Sequence, residues 1–354
     1  MDYNRSWSEL NERLREAETG GGLTAALAEL ERHQRENGFI RDDLADLQRY
    51  AYPHPEDPAR CFRVQYNPKR ALRFSGAGLS TPPDDAQNLN NGCFLCRENI
   101  RWQQHQMQVG FEVNLTGDVY NALMNPFPLF PNHVVFAAAE HIPQAWDAED
   151  RKPGFGLFGH RSPGGRKLPA LLRDLCELAS RLPGHVAFYN GVDAGASIPG
   201  HLHFQVMRRL YTDPLFPLEQ QTFHLPREDG GPEMVVDYPV EVALWRGPVA
   251  RVAPDASAWV KIWAERNHAR IDMLSSNFIA AGHAGDGDIA LYFIPRLRER
   301  ARWNGNHGLV GGLELLGELV LSTDDERSLL DHGLIDYGFV ENALRSVRTP
   351  MFVD

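Results

Sequence analysis

The chain has 354 residues, of which 43% are hydrophobic and 23% charged, which is enough apolar material for one large domain or two fused ones. Its formal net charge is −11, and because proteins that bind long DNA or RNA usually carry a basic excess, no nucleic-acid partner is expected. The sequence has no long apolar run and no basic, apolar leader, so we expect no membrane association and a cytoplasmic location.

The first 58 residues are predicted to form an N-terminal helical extension. Ser6 followed by Glu9 is a capping-box pattern that predicts the start of a helix. The glycines at 20–22 would end that helix, and LTAALAELERHQRENG has the apolar periodicity of a second one.

Residues 59–215 and 216–354 are predicted to form two halves of similar plan. In the first half, CFRVQYNPKRALRF fits a strand, a turn at Asn67–Pro68 and a second strand; HVVFAAA and HVAFYNG are buried strands, and residues 168–182 are helical. The second half has strands at VEVALWRG, NFIAAG and IALYFIP, and a helix at DASAWVKIWAERNHARI. This order predicts an α+β fold with a largely antiparallel sheet and flanking helices.

The stretch GASIPGHLHFQV carries the most informative pattern in the chain. His201, His203 and Gln205 alternate with apolar residues, so on a strand they share one face, about 6–7 Å apart. The preceding loop, NGVDAGAS, consists of residues whose backbone N–H groups can approach an anion closely. A neutral imidazole beside such a loop is suited to attack phosphorus. An ordinary strand with one hydrophilic face, or a cupin-like metal site, would give a similar His-X-His pattern, although Met207 stands where a cupin carboxylate is expected.

The cysteine pair in NGCFLCREN is the second informative pattern. Cys93 and Cys96 have the two-residue gap of a zinc knuckle or a redox pair, but two unligated core cysteines would show the same spacing. Zinc would need two more ligands. The candidate histidines are His105, His133, His141, His185 and His201.

Three stretches in this order, CFLCREN, NHVVFAAAEHIPQAW and YNGVDAGASIPGHLHFQ, resemble the galactose-1-phosphate uridylyltransferase family of the histidine-triad superfamily. Further stretches are more similar to the GDP-hexose phosphorylases, including GDP-L-galactose phosphorylase, and to the diadenosine tetraphosphate phosphorylases: VQYNPKR, HLHFQV followed by DPLFPLE, IALYFIPRLRERA and GLELLGELVLSTDDE. The resemblance runs from about residue 61 to 335. It implies two histidine-triad-like halves, with the first catalytic and the second degenerate.

The resemblance assigns roles to individual positions. It implies structural zinc held by four residues: Cys93, Cys96, His141 and His201. His203 would be the nucleophile that becomes nucleotidylated, and Gln205 would hold the phosphate. Contacts with the nucleotide or its phosphates are implied for Asn67, Arg70, Asn125, Asn190 and Ser197, although the asparagines would also suit ordinary turns. One departure is Leu202, which stands where the uridylyltransferases have proline.

Together these features predict a nucleotidyltransferase or phosphorylase that acts on an NDP-sugar or a dinucleoside polyphosphate through a nucleotidyl-histidine intermediate. Phosphate or a sugar phosphate would be the acceptor. A histidine-triad nucleotide hydrolase is one alternative, but hydrolases carry a third histidine where this chain has Gln205, whose amide cannot exchange protons near pH 7. A non-enzymatic, zinc-stabilised nucleotide-binding protein is the other. The base, the sugar and the oligomeric state are not specified by the sequence.

Overall fold

The computed structural model describes residues 3–75, 89–103, 107–116, 118–147, 165–221, 224–226, 231–282, 287–298 and 309–352. Its helices are α1 (Tyr3–Glu36), α2 (Arg97–Gln103), α3 (Leu168–Arg181), α4 (Val249–Arg266), α5 (Gly312–Leu315), α6 (Asp324–Asp331) and α7 (Tyr337–Arg345). Its strands are β1 (Gln48–Pro53), β2 (Cys61–Tyr66), β3 (Phe111–Leu115), β4 (Asp118–Met124), β5 (Val134–Ala138), β6 (Trp146–Asp147), β7 (Arg166–Lys167), β8 (His185–Asn190), β9 (His203–Arg208), β10 (His224–Leu225), β11 (Glu233–Val235), β12 (Ala243–Pro248), β13 (Leu274–Gly282), β14 (Asp288–Leu297) and β15 (Glu318–Leu321).

A ten-stranded sheet dominates the fold, in the order β10-β11-β12-β14-β13-β8-β9-β5-β4-β3. Every neighbouring pair in this sheet is antiparallel. Strands β3, β4, β5, β8 and β9 form one side of it, and β10 to β14 form the other. The two sides join where β8 pairs with β13. The large antiparallel sheet with its flanking helices confirms the α+β prediction.

The two faces of this sheet pack against different layers. One face carries Leu202, Phe204 and Val206 and packs with apolar residues of α1, α3 and α4 in one buried cluster. The opposite face carries Phe188 and packs with residues of β2, β15 and α7 in a second cluster. Alternate residues of β9 therefore serve different layers, as the period of two requires.

Several local predictions need correction. Helix α1 begins at Tyr3, so Ser6 lies inside it and does not cap it; its two segments are separated by non-helical backbone at Gly21 and Gly22. The predicted hairpin at Asn67–Pro68 does not form, since Pro68–Ser75 is a 3₁₀ helix.

The partners of β2 lie far from it in sequence. It pairs with β1, which falls within the segment predicted to be helical, and runs parallel to β15 near the other end of the chain. Local periodicity carries no information about such distant partners. Helix α4 also begins earlier than predicted, at Val249, and includes Pro254. Among the described residues, no helix is long and apolar enough to cross a membrane.

Candidate functional site

A cavity of about 510 Å³ is lined by residues of β8 and β9 together with residues of β4 and β5. Gln205 lies opposite Phe188 on one neighbouring strand and opposite Val135 on the other, and Val135 lies opposite Leu123. Residues that lie opposite one another across strands point to the same face of a sheet. These four side chains therefore form a continuous row along one wall of the cavity.

His203 lies at the start of β9 and also lines the cavity. Its Nδ1 lies 2.8 Å from the carbonyl oxygen of His201. Because a carbonyl oxygen only accepts, Nδ1 carries the proton and donates it to that oxygen. The lone pair of the neutral ring is then on Nε2, which has no hydrogen-bond partner among the described residues. Burial lowers the pKa of His203 to about 4, so the ring is neutral and nucleophilic near pH 7.

The amide of Gln205 is oriented by a second buried histidine. His133 Nδ1 accepts a hydrogen bond from the backbone N–H of Leu129 at 3.2 Å, so its proton is on Nε2. That Nε2–H donates to Gln205 Oε1 at 3.0 Å. With its oxygen occupied, Gln205 is left with its NH₂ group as a donor toward the cavity. Burial lowers the pKa of His133 to about 3, which keeps this arrangement intact at neutral pH.

The side-chain amide of Asn190, at the end of β8, is also oriented by hydrogen bonds to its oxygen. Its Oδ1 accepts from Asn277 Nδ2 at 2.7 Å and from the backbone N–H of Gly312 at 2.9 Å. Its Nδ2 is consequently the group left for the cavity that Asn190 lines. Asn277 belongs to β13 and Gly312 to α5, so residues from the second side of the sheet fix an amide on the first.

The glycine-rich loop after β8 packs tightly against the segment that precedes α5. Gly195 has φ +94°, and a Cβ atom there would lie 2.5 Å from Gly311 Cα, so only glycine suits this position. Asn277 Nδ2 also donates to the carbonyl oxygen of Ala194 at 2.8 Å. Ser197, at the end of the loop, lines the cavity. The loop is therefore held from both sides beside His203.

Of three further residues predicted to contact the nucleotide, two line the cavity and one does not. Arg70 and Asn125 line the cavity, and Arg70 is the only cationic side chain among the described residues of that lining. Arg70 also donates to the carbonyl oxygen of Phe127 at 2.6 Å. Asn67 is not part of the lining: it is buried and donates to the carbonyl oxygen of Pro128 at 3.0 Å, while its Oδ1 accepts from the N–H of Arg70. Its place in the structure is that of a support for Arg70.

The cysteine pair meets two histidines close to β9. Cys93 Sγ lies 3.3 Å from His201 Nδ1, and Cys96 Sγ lies 3.3 Å from His141 Nδ1 and 3.6 Å from His201 Nδ1. The four candidate ligand atoms all lie within 4.8 Å of one another, so this group could hold a metal ion. Of the other candidate histidines, His133 and His185 lie elsewhere, and position 105 is outside the described residues.

The donor set of this cluster fits a tetrahedral metal. Zinc bonded to two sulfurs and two nitrogens would separate its ligand atoms by roughly 3.3–3.8 Å, close to the distances found. His201 Nε2 lies 2.7 Å from the carbonyl oxygen of Ala138, so it carries the proton and leaves Nδ1 free to bind a metal. Hydrogen bonds from Cys96 and His201 lower the pKa of the Cys93 thiol, whereas the hydrogen bond to Cys93 and burial raise the pKa of the Cys96 thiol. A bound metal ion would stabilise both thiolates.

Sequence analysis missed the role of three residues that organise the site, one of which, His133, was named only as a candidate zinc ligand. Gln144 Oε1 accepts from the N–H of His203 at 2.7 Å, and its Nε2 donates to the carbonyl oxygens of Asn190 and His203. The other two are His133 and Asn277. Gln144 and His133 lie within NHVVFAAAEHIPQAW, and Asn277 is a polar residue on the buried strand β13. A buried polar side chain on an apolar strand was the available signal for Asn277.

Part of this chain matches a known sequence family, and its fold is similar to that of a known enzyme. A family profile described as "Domain of unknown function (DUF4922)" matches residues 30–151 and 162–208. The structure of yeast Ap4A phosphorylase Apa2 matches with a TM-score of 0.55 and 14% identity, covering 91% of this chain and 97% of that one. The chain shares the fold of this phosphorylase.

Two further structures of the same yeast enzyme also match. Its complex with Ap4A gives a TM-score of 0.56 at 15% identity, covering 91% of this chain and 98% of that one. Its complex with AMP gives a TM-score of 0.53 at 15% identity, covering 91% of this chain and 96% of that one. No curated protein sequence matches this chain significantly. The resemblance to the phosphorylase group noted from the sequence is thereby confirmed at the level of fold.

Proposed function

We propose that this protein is a nucleotidyltransferase of the phosphorylase type. His203 Nε2 attacks the α-phosphorus of a dinucleoside polyphosphate or an NDP-sugar, and a P–N bond forms as the P–O bond to the rest of the substrate breaks. The leaving nucleotide or sugar phosphate departs with the electron pair of that bond. Inorganic phosphate or a sugar phosphate then attacks the same phosphorus from solution and releases His203 with its lone pair restored.

One observation carries this proposal: the hydrogen bond from His203 Nδ1 to the carbonyl oxygen of His201 leaves an unprotonated Nε2 on a residue that lines the cavity. A cavity of about 510 Å³ is within the range of small-molecule sites. A neutral imidazole is a nucleophile and, once phosphorylated, a good leaving group.

The oriented amides beside His203 support the same chemistry. The NH₂ groups of Gln205 and Asn190 would donate to the non-bridging oxygens of the α-phosphate, where negative charge accumulates in phosphoryl transfer. Both amides are held in this orientation before any substrate binds, so little reorganisation is needed during the reaction. Arg70 supplies a positive charge to the same cavity.

We further propose that Cys93, Cys96, His141 and His201 bind zinc in a structural role. Zinc would be four-coordinate with protein ligands alone, which is typical of structural sites. Through His201 it would fix the backbone carbonyl that orients His203. Hydrolysis is not favoured, because Gln205 cannot relay a proton to or from water near pH 7.

The test is a search for the covalent intermediate by mass spectrometry. The full-length protein is incubated with Ap4A and, separately, with ADP-, GDP- and UDP-sugars, without phosphate. We expect one nucleoside monophosphate to be added per chain, and its loss when phosphate is supplied. His203→Ala should abolish the adduct, whereas His268→Ala, which changes an exposed histidine, should leave it unchanged.

Two outcomes would contradict the proposal. An adduct that persists in His203→Ala would mean that another residue is the nucleophile. Absence of an adduct and of turnover with every one of these substrates, in a protein that still binds nucleotide, would favour a non-enzymatic binding protein.

A further inference from the structure

The cavity continues from the phosphate end of the site across neighbouring strands. Gln205 on β9, Val135 on β5 and Leu123 on β4 lie side by side and all line the cavity. Adjacent strands are spaced about 4.8 Å apart, so Leu123 lies roughly 10 Å from Gln205 along this row. That is the length scale of a nucleoside attached to a phosphate, and the surface along it is apolar.

A buried glutamine lies next to Met124, beyond Leu123 at the far end of this apolar surface. Gln108 lines the cavity and is 5% exposed. Its Nε2 donates one hydrogen to the carbonyl oxygen of Met124 at 3.3 Å. Its Oε1 accepts no hydrogen bond from the described residues, and the second hydrogen of its Nε2 is likewise not donated to any of them. Gln108 therefore presents one acceptor and one donor, side by side, at this end of the cavity.

Helix α1 holds the backbone on both sides of Gln108. Tyr3 donates its hydroxyl to the carbonyl oxygen of Gln108 at 2.8 Å. Gln34 donates to the carbonyl oxygen of Met107 and accepts from the N–H of Val109. Phe39, which follows α1, is itself part of the cavity lining. The N-terminal segment thus has a structural connection to the cavity as well as to the core.

We propose that this end of the cavity binds the base of the nucleotide and that Gln108 selects adenine; this inference rests on the proposed function. The base lies against Val135 and Leu123, with its α-phosphate at His203 and Gln205. Gln108 Oε1 accepts from the exocyclic amine of adenine, and its free Nε2–H donates to the neighbouring ring nitrogen.

The choice of adenine follows from the donors and acceptors on each base. A glutamine amide pairs bidentately with the amine and ring nitrogen of adenine, which present a donor next to an acceptor. Guanine presents two adjacent donors on its Watson–Crick edge, which a carboxylate would serve better than an amide. The described lining has two carboxylates, Glu314 and Glu326, and both accept hydrogen bonds from backbone N–H groups, Glu314 from Gly311 and Glu326 from Ser322 and Thr323. The side-chain amide of Gln108 is bonded to a single carbonyl oxygen, which leaves it available to a base.

The experiment measures equilibrium binding of AMP, GMP, CMP and UMP by calorimetry, which does not depend on catalysis. The wild-type chain should bind AMP most tightly. Gln108→Leu should weaken AMP binding roughly 5- to 150-fold, the range for loss of a bidentate base contact, and leave the other three nearly unchanged. Gln108→Glu should lose AMP affinity and gain affinity for GMP.

A matched control is Gln220→Leu. Gln220 is exposed, and its Nε2 also donates to a single backbone carbonyl oxygen, that of Leu215 at 3.2 Å, away from the cavity. This variant should bind all four nucleotides as the wild type does. Equal weakening of all four nucleotides in Gln108→Leu would show a merely structural role and overturn the inference, as would a wild-type preference for another base.

The two proposals can fail separately. AMP selectivity that depends on Gln108, without any nucleotidyl adduct on His203, would retain the base site and refute the catalytic proposal. An adduct that forms equally well from ADP-, GDP- and UDP-sugars would retain the catalytic proposal and refute the base site.

Discussion

The two sides of the ten-stranded sheet differ in what they contribute to the cavity. All the buried histidines among the described residues belong to the chain segment that forms the first side: His133, His185, His201 and His203. The second side provides β13 and β14, whose residues are almost all buried, and it reaches the site through Asn277. The candidate site residues on the strands thus lie on the first side, and Asn277 of the second side holds one of them, Asn190, in place.

This difference shows that a residue on one side of the sheet can hold polar groups on the other side in place. A polar residue on a buried strand costs stability unless it is hydrogen-bonded. On β13 that cost is offset at Asn277, whose amide bonds to Asn190 and to the loop at Ala194. The second side can therefore be tested as a positioning element, separately from the residues that would touch substrate.

The largest effect is expected from breaking the candidate metal site formed by Cys93, Cys96, His141 and His201. Cys96→Ala should eliminate bound zinc, measured by elemental analysis, and lower the free energy of unfolding by about 3 kcal/mol or more. Activity should fall with it, because His201 would lose its anchor.

The control for the cluster is Cys176→Ala. Cys176 is a fully buried free cysteine of α3, outside the cluster. This variant should retain stoichiometric zinc and lose only about 1 kcal/mol. Equal metal content in the wild type and Cys96→Ala would show that the cluster does not bind zinc.

Acid should destabilise the protein through the buried histidines of the first side. Burial lowers the pKa of His133 to about 3 and of His185 to about 4, against about 6.5 in an unfolded chain. Below pH 6.5 the unfolded state binds protons that the folded state does not, so stability falls as the pH falls toward those values. Between pH 6.5 and 5 we expect these two residues alone to lower the free energy of unfolding by about 2–4 kcal/mol, measured by urea unfolding.

A substitution separates this effect from general acid denaturation. His185→Gln should reduce the loss of stability on acidification, since it removes one of the buried histidines whose pKa is lowered. His268→Gln changes an exposed histidine and should leave the pH dependence as it is. An identical pH dependence in wild type and His185→Gln would refute the assignment.

The role of the second side is tested at Asn277. Asn277→Leu removes two buried hydrogen bonds, to Asn190 and to the Ala194 carbonyl. We expect kcat to fall about 10- to 100-fold, because each such bond contributes about 1 kcal/mol. Asn267→Leu is the matched control. Like Asn277, Asn267 is buried, and it donates hydrogen bonds to two carbonyl oxygens, those of Trp263 and Met351. It does not line the cavity. Asn267→Leu should lower the free energy of unfolding but retain kcat. A similar loss of kcat in both variants would contradict a positioning role for Asn277.

The smallest effect is expected at His133, which acts only through Gln205. His133→Leu frees the Gln205 amide to rotate, and we expect a decrease in kcat of roughly 3- to 10-fold with little change in KM. His133→Gln keeps a donor toward Gln205 and should recover part of the activity. Full activity in His133→Leu would show that the orientation of the Gln205 amide does not depend on His133.

The positions of His203 and Gln205 in the candidate site were predictable from the sequence, and the residues that support them were not. Strand alternation placed His203 and Gln205 on one face, because a period of two is a local property of the chain. The close pair Cys93 and Cys96 was visible from its spacing. Asn277 and Gln144 were missed because their partners lie far away in sequence, and local periodicity says nothing about such contacts. The resemblance predicted that Asn67 contacts the nucleotide. In the structure Asn67 lies outside the cavity lining and is hydrogen-bonded to Pro128 and to the backbone of Arg70.

The parallel pairing of β15 with β2 has a consequence for biosynthesis. β15 and the glycines at 311 and 312 that border the cavity are made more than two hundred residues after β2. A contact between such distant segments is slow to close. On the ribosome the cavity would therefore stay incomplete until β15 had emerged, so a chain that ends before β15 should bind no nucleotide.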